Sequence, residues 1–532
     1  MTSPTDRIRP ADPVPRRLAD VATAFGLTVA SGGPSSEALV SAVASDNRAV
    51  VPGDLFVALP GARSHGATYA ADAVRRGAPA VLTDTAGARM LAGLGVPVLV
   101  ADDVRGVLGP VAAWVHGEPA QHLTTFGVTG TNGKTTTTYQ VDHLLRALGH
   151  RGGLVGTVET RAGDQVLPSR LTTPEAADLQ ALLARMREIG VDALTMEVSS
   201  HAVTMRRVDG IVFDVAGFTN LSQDHLDFHG DLPTYFAAKA ELFTPARSRR
   251  GVVVVDDAWG ERMAASAGVP VETVRTLPAP HDALTADWTV SDVAPHGTGS
   301  AFTLRHTDGR ELRTSTALPG GFNVANAALA VVMVLASGAA PEHVSAALDA
   351  ADGLSARVPG RMEVVGAGGD GHPRVVVDFA HNTDALELAL AALRPTTAGR
   401  LVVVFGATGD RDPGKRPAMG AAAVAGADVV VLTDDDPHDE DAAKIRAEVL
   451  AGAEAARASA RAAGRDVVVQ EVGDRAEAVR RAVLEAGPTD TVLVAGRGHE
   501  TIQEVRGVDV ALDDRVEARS ALRARAERTP SA

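Results

Sequence analysis

Residues 124–148 read TTFGVTGTNGKTTTTYQVDHLLRAL, and the rest of the chain is organised around them. The β-prone run from Leu123 to Val128 leads into a loop carrying Gly130, Thr131, Asn132 and Gly133, and Lys134 and Thr135 then open a helix. Tyr139, Val141, Leu144, Leu145 and Leu148 fall near helical spacing and predict its buried face. Strand, glycine loop and helix in that order are what phosphate binding requires. Glycines let backbone N–H groups approach phosphate oxygens, the helix N-terminus adds partial positive charge, and Lys134 adds a full one. The Thr135 hydroxyl is placed to hold Mg²⁺, so a nucleoside triphosphate is the expected guest. The loop is a variant form: the usual template wants glycine where Val128 stands, and the glycines fall instead at 127, 130 and 133.

At 532 residues the chain exceeds one ordinary core and predicts about three domains. A 45% hydrophobic content is that of a globular protein, and a formal charge of −15 argues against a nucleic-acid surface as the main role. There are no cysteines, which excludes disulfides, cysteine–zinc sites and a cysteine nucleophile. The N-terminal MTSPTDRIRPADPVPRRL lacks the apolar core of a signal peptide. The longest apolar run, Ala327 to Ala340, is about 14 residues against the roughly 20 of a membrane span, so a cytoplasmic protein is expected.

Of 51 basic residues only four are lysine: Lys134, Lys239, Lys415 and Lys444. Arginine serves wherever generic positive charge suffices, so each lysine calls for a chemical reason. Lysine, unlike arginine, loses its proton when desolvated and can then be modified. Lys239 sits among Phe236, Ala237, Ala238, Ala240 and Leu242, company in which an uncompensated ammonium is costly. It must snorkel to solvent, be salt-bridged, or be deprotonated and carry a covalent group.

Before the phosphate loop, short strands and helices alternate: Leu55 to Leu59 reads as a strand and Tyr69 to Arg76 as a helix. After it, Leu154 to Val158 reads as a strand, and LTTPEAADLQALLARM holds a helix with Pro174 at its start. ALTMEVSSHAV at 193–203 is an apolar strand that ends in Glu197, a carboxylate positioned for Mg²⁺. LPGGFNVANAALAVVMVLASG at 318–338 is a glycine turn and a buried helix, with Asn323 and Asn326 on its first turns as caps or facing a base. Pro359-Gly360 reads as a hinge. From 358 on, RVVVDFAHN, LVVVFGATGDRDPGKRP, ADVVVLTDDDPHDED, DVVVQEV and DTVLVAGRGHE alternate with helices and predict a parallel doubly wound sheet. Asp378, His381, Arg411, Asp435, Asp436, His438 and Glu500 gather at the strand ends as a binding edge.

Taken in order, GTNGKTT, LTTPE, MEVSSHA, FTNLSQDHLDFHG, YFAAKAELF, GFNVAN, GDRDPGKRP, the DDPH region and AGRGHE resemble the Mur ligase family. The likeness is strongest to the branch that adds the third residue of the peptidoglycan stem, and it covers nearly the whole chain. It implies an α/β protein of three domains. Residues 1–120 would bind the UDP-MurNAc-peptide, 121–357 would form the central P-loop-like ATPase with a parallel sheet, and 358–532 would form a Rossmann-like amino-acid domain. The reaction implied is ATP-dependent addition of a diamino acid to UDP-MurNAc-L-Ala-D-Glu by way of an acyl phosphate, in a monomer with no membrane or nucleic-acid partner.

By position, the resemblance places Gly130, Thr131, Asn132, Gly133, Lys134, Thr135 and Thr136 on ATP, with Asn326, Arg361 and Asp378 near the nucleotide. Thr135, Glu197 and His225 correspond to Mg²⁺ ligands. Lys239 corresponds to a lysine that CO₂ converts to a carbamate, which would support a second Mg²⁺. Lys134, Glu197, His225 and Lys239 make up the implied catalytic set. Asn47, Ser64, Thr172, Thr173, Ser199 and Arg207 correspond to contacts with the nucleotide-sugar peptide, and Arg411, Asp435, Asp436, His438, Gly496 and Glu500 to the amino-acid site.

Two departures bear on specificity. The family's diaminopimelate enzymes read Asp-Asn-Pro-Arg where this chain reads Asp435-Asp436-Pro437-His438. A forked guanidinium has become an imidazole and an amide a carboxylate, which favours L-lysine or L-ornithine over diaminopimelate. Asn47 stands where serine is usual. The alternatives are the same reaction with diaminopimelate, for whose carboxylate Arg411 remains available, a ligase acting on another carboxylate, and an ATP-binding scaffold without ligation; the intact Lys134, Glu197, His225 and Lys239 weigh against the scaffold.

Overall fold

The computed structural model describes residues 8–31, 37–61, 63–167, 171–278, 284–369 and 371–528. Three large sheets succeed one another along the chain. The first runs Thr28–Ser31, Val98–Val100, Ala80–Thr83, Asp54–Val57 and Ala42–Ala44, parallel except for its first pairing. Its strands are short and apolar because both faces are covered, one of them by the helix Val104–Val115.

The second sheet has eleven strands among the described residues. From Gly152–Val155 through Ala193–Glu197, Thr124–Thr129, Val215–Phe218, Gly251–Val254 and Val271–Arg275 to Trp288–His296, every pairing is parallel. The sequence predicts a parallel sheet here, and the core is one. Antiparallel strands extend both edges: Thr160–Ala162 and Gln165–Leu167 at one, Gly299–His306 and Glu311–Thr316 at the other. Helix Gly321–Ala336 buries Val324, Leu329, Val331, Val332, Met333 and Val334 against this sheet and the phosphate-loop helix. Each such side chain contributes about 1.5–3 kcal/mol by leaving water. The apolar run is therefore core rather than a membrane segment, and among the described residues no helix is long and apolar enough to cross a membrane.

The third sheet is ordered Glu363–Gly369, His372–Asp378, Thr491–Ala495, Leu401–Phe405, Val429–Leu432 and Val468–Glu471. Only its first pairing is antiparallel. The expected doubly wound arrangement is present, with one reversed edge strand, Glu363–Gly369, which pairs antiparallel because only a short connection separates it from His372–Asp378. Boundaries moved by one to three residues in several places: the strand expected at 154–158 is Gly152–Val155, and the helix expected at 69–76 is Ala70–Arg75 behind a short 3₁₀ turn. The helix after LTTPE is Ala176–Glu188, so Pro174 lies before it and not at its first position.

Candidate functional site

The loop 130–133 is held from below by the segment 218–222. Thr131 N donates to Asn220 O at 2.9 Å, Asn132 N to Asn220 Oδ1 at 3.0 Å, and the Thr219 hydroxyl to Asn132 O at 2.6 Å. Gly133 sits at φ +89°, and a Cβ there would stand 2.3 Å from Asn326 Oδ1. Only glycine allows that approach, and it brings Asn326 against the loop. Lys134 Nζ donates to Gly130 O at 3.0 Å and to Thr131 O at 2.8 Å.

Lys239 is 1% exposed, its Nζ donates to the same Gly130 carbonyl at 2.8 Å, and it lies 4.2 Å from the Tyr235 ring centroid. Of the three fates open to it, snorkelling is excluded by this burial. Burial, reinforced by Lys134 and opposed by Asp224, holds the amine well below the usual lysine range. A neutral amine is the form that can attack CO₂.

Glu197 ends its strand 1% exposed. Its Oε1 accepts Thr157 N at 2.7 Å and its Oε2 the Thr157 hydroxyl at 3.2 Å, which fixes the carboxylate where the strand meets the cavity. His225 sits in left-handed backbone at φ +52° with Nε2 3.8 Å from Asp224 Oδ2. Desolvation within the cavity, helped by Lys134 and Lys239, pushes its imidazole down to about 4, so a lone pair is available at neutral pH. Among the described residues no three His, Asp or Glu side chains gather as a metal cage. The donors present suit Mg²⁺, which takes one or two protein ligands and completes its octahedron with phosphate oxygens and water.

Thr131 to Thr136, Glu197, Asp224 and His225, but not Gly130 or Lys239, line one wall of a cavity of about 850 Å³, and residues at the strand ends of the third sheet line the other. Arg361 crosses between them: its Nη2 donates to Thr135 Oγ1 at 3.2 Å and its guanidinium lies 4.1 Å from the Phe379 ring centroid. Asp378 accepts Met362 N at 2.6 Å. Beyond it, Asp435 is 4% exposed, with Oδ1 accepting the Thr408 hydroxyl at 3.2 Å and Asp436 N at 2.8 Å. Its Oδ2 accepts no hydrogen bond. Gly496, at φ +112°, leaves room for that oxygen, which a Cβ would meet at 2.5 Å. Burial, then Asp435 and Asp436, push the Glu500 carboxyl up to about 8 against the pull of Arg497. A carboxyl raised so far holds its proton at neutral pH, and a cation entering beside it would favour the charged form, so the pocket suits a cation. Asp436 is paired with Arg497, and His438 Nδ1 lies 3.1 Å from Glu504.

The cavity gathers most of the residues read from the sequence: Thr131 to Thr136, Glu197, His225, Asn326, Arg361, Asp378, Arg411, Asp435, Asp436, His438, Gly496 and Glu500, with Thr172 and Ser199 at its rim. Thr173 lies behind them, its hydroxyl donating to Glu197 O at 2.9 Å, and Arg207 Nε reaches Glu175 at 2.8 Å. Asn47 and Ser64 do not line this cavity; they lie in the connections after the strands Ala42–Ala44 and Asp54–Val57 of the first sheet, bonded to Asp72 and Tyr69. Sequence reasoning passed over Thr157, Asn220, Asp224 and Arg497. Asp224 and Asn220 lie inside the quoted FTNLSQDHLDFHG run, whereas nothing in the sequence marks Thr157 as the partner of Glu197.

Residues 39–114, 128–334 and 360–498 match, in turn, the Mur ligase family catalytic domain, the Mur ligase middle domain and the Mur ligase glutamate ligase domain. A UDP-N-acetylmuramyl-tripeptide synthetase of Leifsonia xyli subsp. xyli is 48% identical across 98% of this chain and 99% of its own. A UDP-N-acetylmuramoyl-L-alanyl-D-glutamate--2,6-diaminopimelate ligase of Streptomyces avermitilis is 47% identical across 97% and 98%. A solved structure of a ligase with that second name superposes with TM-score 0.63 at 32% identity, covering 93% of this chain and 97% of the other.

Proposed function

Because the chain belongs to the Mur ligase family, ATP-dependent ligases that form amide bonds in peptidoglycan synthesis, we propose that it adds a diamino acid to the D-Glu of UDP-MurNAc-L-Ala-D-Glu. One observation carries the reading: a single cavity sets a phosphate loop with Mg²⁺-competent donors opposite the carboxyl side chains of Asp435, Asp436 and Glu500. In this reading residues 1–120 hold the uridine end, 121–357 the ATP, and 358–532 the amino acid, in a cytoplasmic monomer.

The substrate's terminal carboxylate bonds to the γ-phosphorus of ATP, and the bond to ADP breaks with its electron pair staying on ADP. An amine of the diamino acid, having lost a proton, then attacks the acyl carbon, and phosphate leaves with the C–O pair. Lys134 and the loop amides stabilise the charge that concentrates on the phosphoryl oxygens. Thr135, Glu197 and His225 would hold Mg²⁺, which supplies further charge neutralisation when bound. A carbamate on Lys239 would add a carboxylate beside Gly130 without a net buried cation. Asp435 and Glu500, the latter once it has given up its proton, receive the amino acid's ammonium. Docking of the two walls, with Arg361 as the bridge, excludes water from the acyl phosphate.

For the amino acid, His438 in place of a forked guanidinium favours L-lysine or L-ornithine. A second reading, diaminopimelate, is favoured by the names of relatives such as that of Streptomyces avermitilis and by Asp436, whose charge Arg497 already offsets. The test is an amino-acid panel with UDP-MurNAc-L-Ala-D-Glu, ATP and Mg²⁺, following product mass and ADP release. Product with L-lysine or L-ornithine but not diaminopimelate supports the first reading, the reverse supports the second, and no product with any of the three removes the function itself.

A further inference from the structure

Two of the chain's four lysines, Lys134 and Lys415, line the cavity, and Lys239 is buried behind the phosphate loop on the Gly130 carbonyl. Lys134 and Lys239 belong to the phosphate-loop wall, whereas Lys415 comes from the opposite one. It is the first residue of helix Lys415–Gly426, lines the cavity, and donates from Nζ to His381 O at 3.0 Å. His381 and Phe379 follow the strand His372–Asp378; the Phe379 ring lies under Arg361, which bonds Thr135. The next residue, Asn382, reaches Asp224 of the phosphate-loop wall at 3.5 Å. Lys415 thus stands at the seam where the two walls touch, half-buried, with one of its three ammonium donors on a carbonyl. Its immediate neighbour Arg416 shows what this chain does when a cation only has to be structural: it is an arginine, buried and paired with Glu440 and Glu448. A lysine ammonium can serve a phosphoryl oxygen as a compact point charge with rotatable donors.

Resting on the ligase reading above, we propose that Lys415 contacts the γ-phosphoryl group as it passes from ATP to the D-Glu carboxylate of the substrate, so that the third sheet takes part in acyl phosphate formation and not only in amine delivery. The oxygen–phosphorus bond forms, the bond to ADP breaks, and Lys415 keeps its protons throughout; its part is electrostatic.

The test isolates the first half-reaction. Enzyme, ATP, Mg²⁺ and UDP-MurNAc-L-Ala-D-Glu are incubated with hydroxylamine and no amino acid, and the hydroxamate formed by capture of the acyl phosphate is measured by mass. Lys415→Gln should lose on the order of 100-fold in hydroxamate rate, Lys415→Arg should recover part of it, and the exposed Lys444→Gln should match the parent. Melting temperature and ATP affinity of Lys415→Gln should stay with the parent. Its KM for the diamino acid should change less than about threefold, since uniform binding is untouched. A Lys415→Gln enzyme that forms hydroxamate at the parental rate overturns the proposal, as does a loss confined to amino-acid KM. If Lys415→Gln melts early, the partial rate of Lys415→Arg at parental stability decides: a rate equal to the parent's refutes a requirement for the ammonium. Absence of hydroxamate from the parent itself would instead refute the ligase reading.

Discussion

At the scale of single residues, the chemistry turns on which charges the fold removes from water. Lys239 is the sharpest case, because its site tolerates an amine and punishes a permanent cation. Lys239→Arg keeps the formal charge, yet it should lower turnover by about 100-fold or more if a carbamate is needed. ADP release with and without added bicarbonate measures this, and full activity of the arginine variant would end the carbamate idea. Glu500 makes a pH prediction. Its carboxyl ordinarily titrates near 4.5 and is raised to about 8 in the folded protein. Between those values the folded state keeps a proton the unfolded chain has shed, so this group makes stability fall as pH rises through the window. Glu500→Gln should flatten that part of the decline; melting temperatures from pH 5 to 8 with the same slope in both proteins would contradict it. His438→Arg should raise the rate with diaminopimelate relative to L-lysine, since a guanidinium can fork onto the distal carboxylate. An unchanged rate ratio would show that the imidazole does not set the preference.

At the scale of elements, two helix starts fix the pocket around Asp435 and Gly496. Arg475 opens helix Arg475–Glu485 and Asp514 opens helix Asp514–Arg528, and the two side chains pair at 2.8 Å with no exposure. Arg475 also donates to Asp434 O at 3.2 Å and Ala495 O at 2.8 Å, tying together the strand ends that carry Asp435 and Gly496. Arg475→Met strands a buried carboxylate and should cost about 3–5 kcal/mol, whereas neutralising both partners should recover much of that loss. Hydrogen exchange in the strand Thr491–Ala495 reports it: amides as protected as in the parent would show that the pair is dispensable. This tie was not legible beforehand, because Arg475 and Asp514 lie far apart in sequence and each reads as an ordinary helix-start residue. What was legible had a local signature: the glycine loop at its strand end, the β-branched runs of the third sheet, the buried helix after Gly321. The antiparallel edge strands escaped because their sequences alternate weakly. Pro174 misled because a proline two residues before a helix reads like one at its first position. Glu197 could be placed by its strand, but its partner Thr157 could not, since that contact is long-range.

At the scale of the whole molecule, the site is shared between two sheets that touch through few polar links, Arg361 to Thr135 and Asn382 to Asp224 among them. Filling such a seam with ligand should draw the walls together. The radius of gyration from solution scattering should fall when an ATP analogue, Mg²⁺ and UDP-MurNAc-L-Ala-D-Glu are present together, and an unchanged value would mean that the described arrangement is already the closed one. The scarcity of lysine has a practical consequence at this scale. An amine-seeking electrophile meets few bystander lysines on this protein: Lys444 stands in open solvent, while Lys134 and Lys415 line the cleft. Covalent labelling of lysine could thus be read as two classes of signal, Lys444 reporting the reagent and the cleft pair its occupancy.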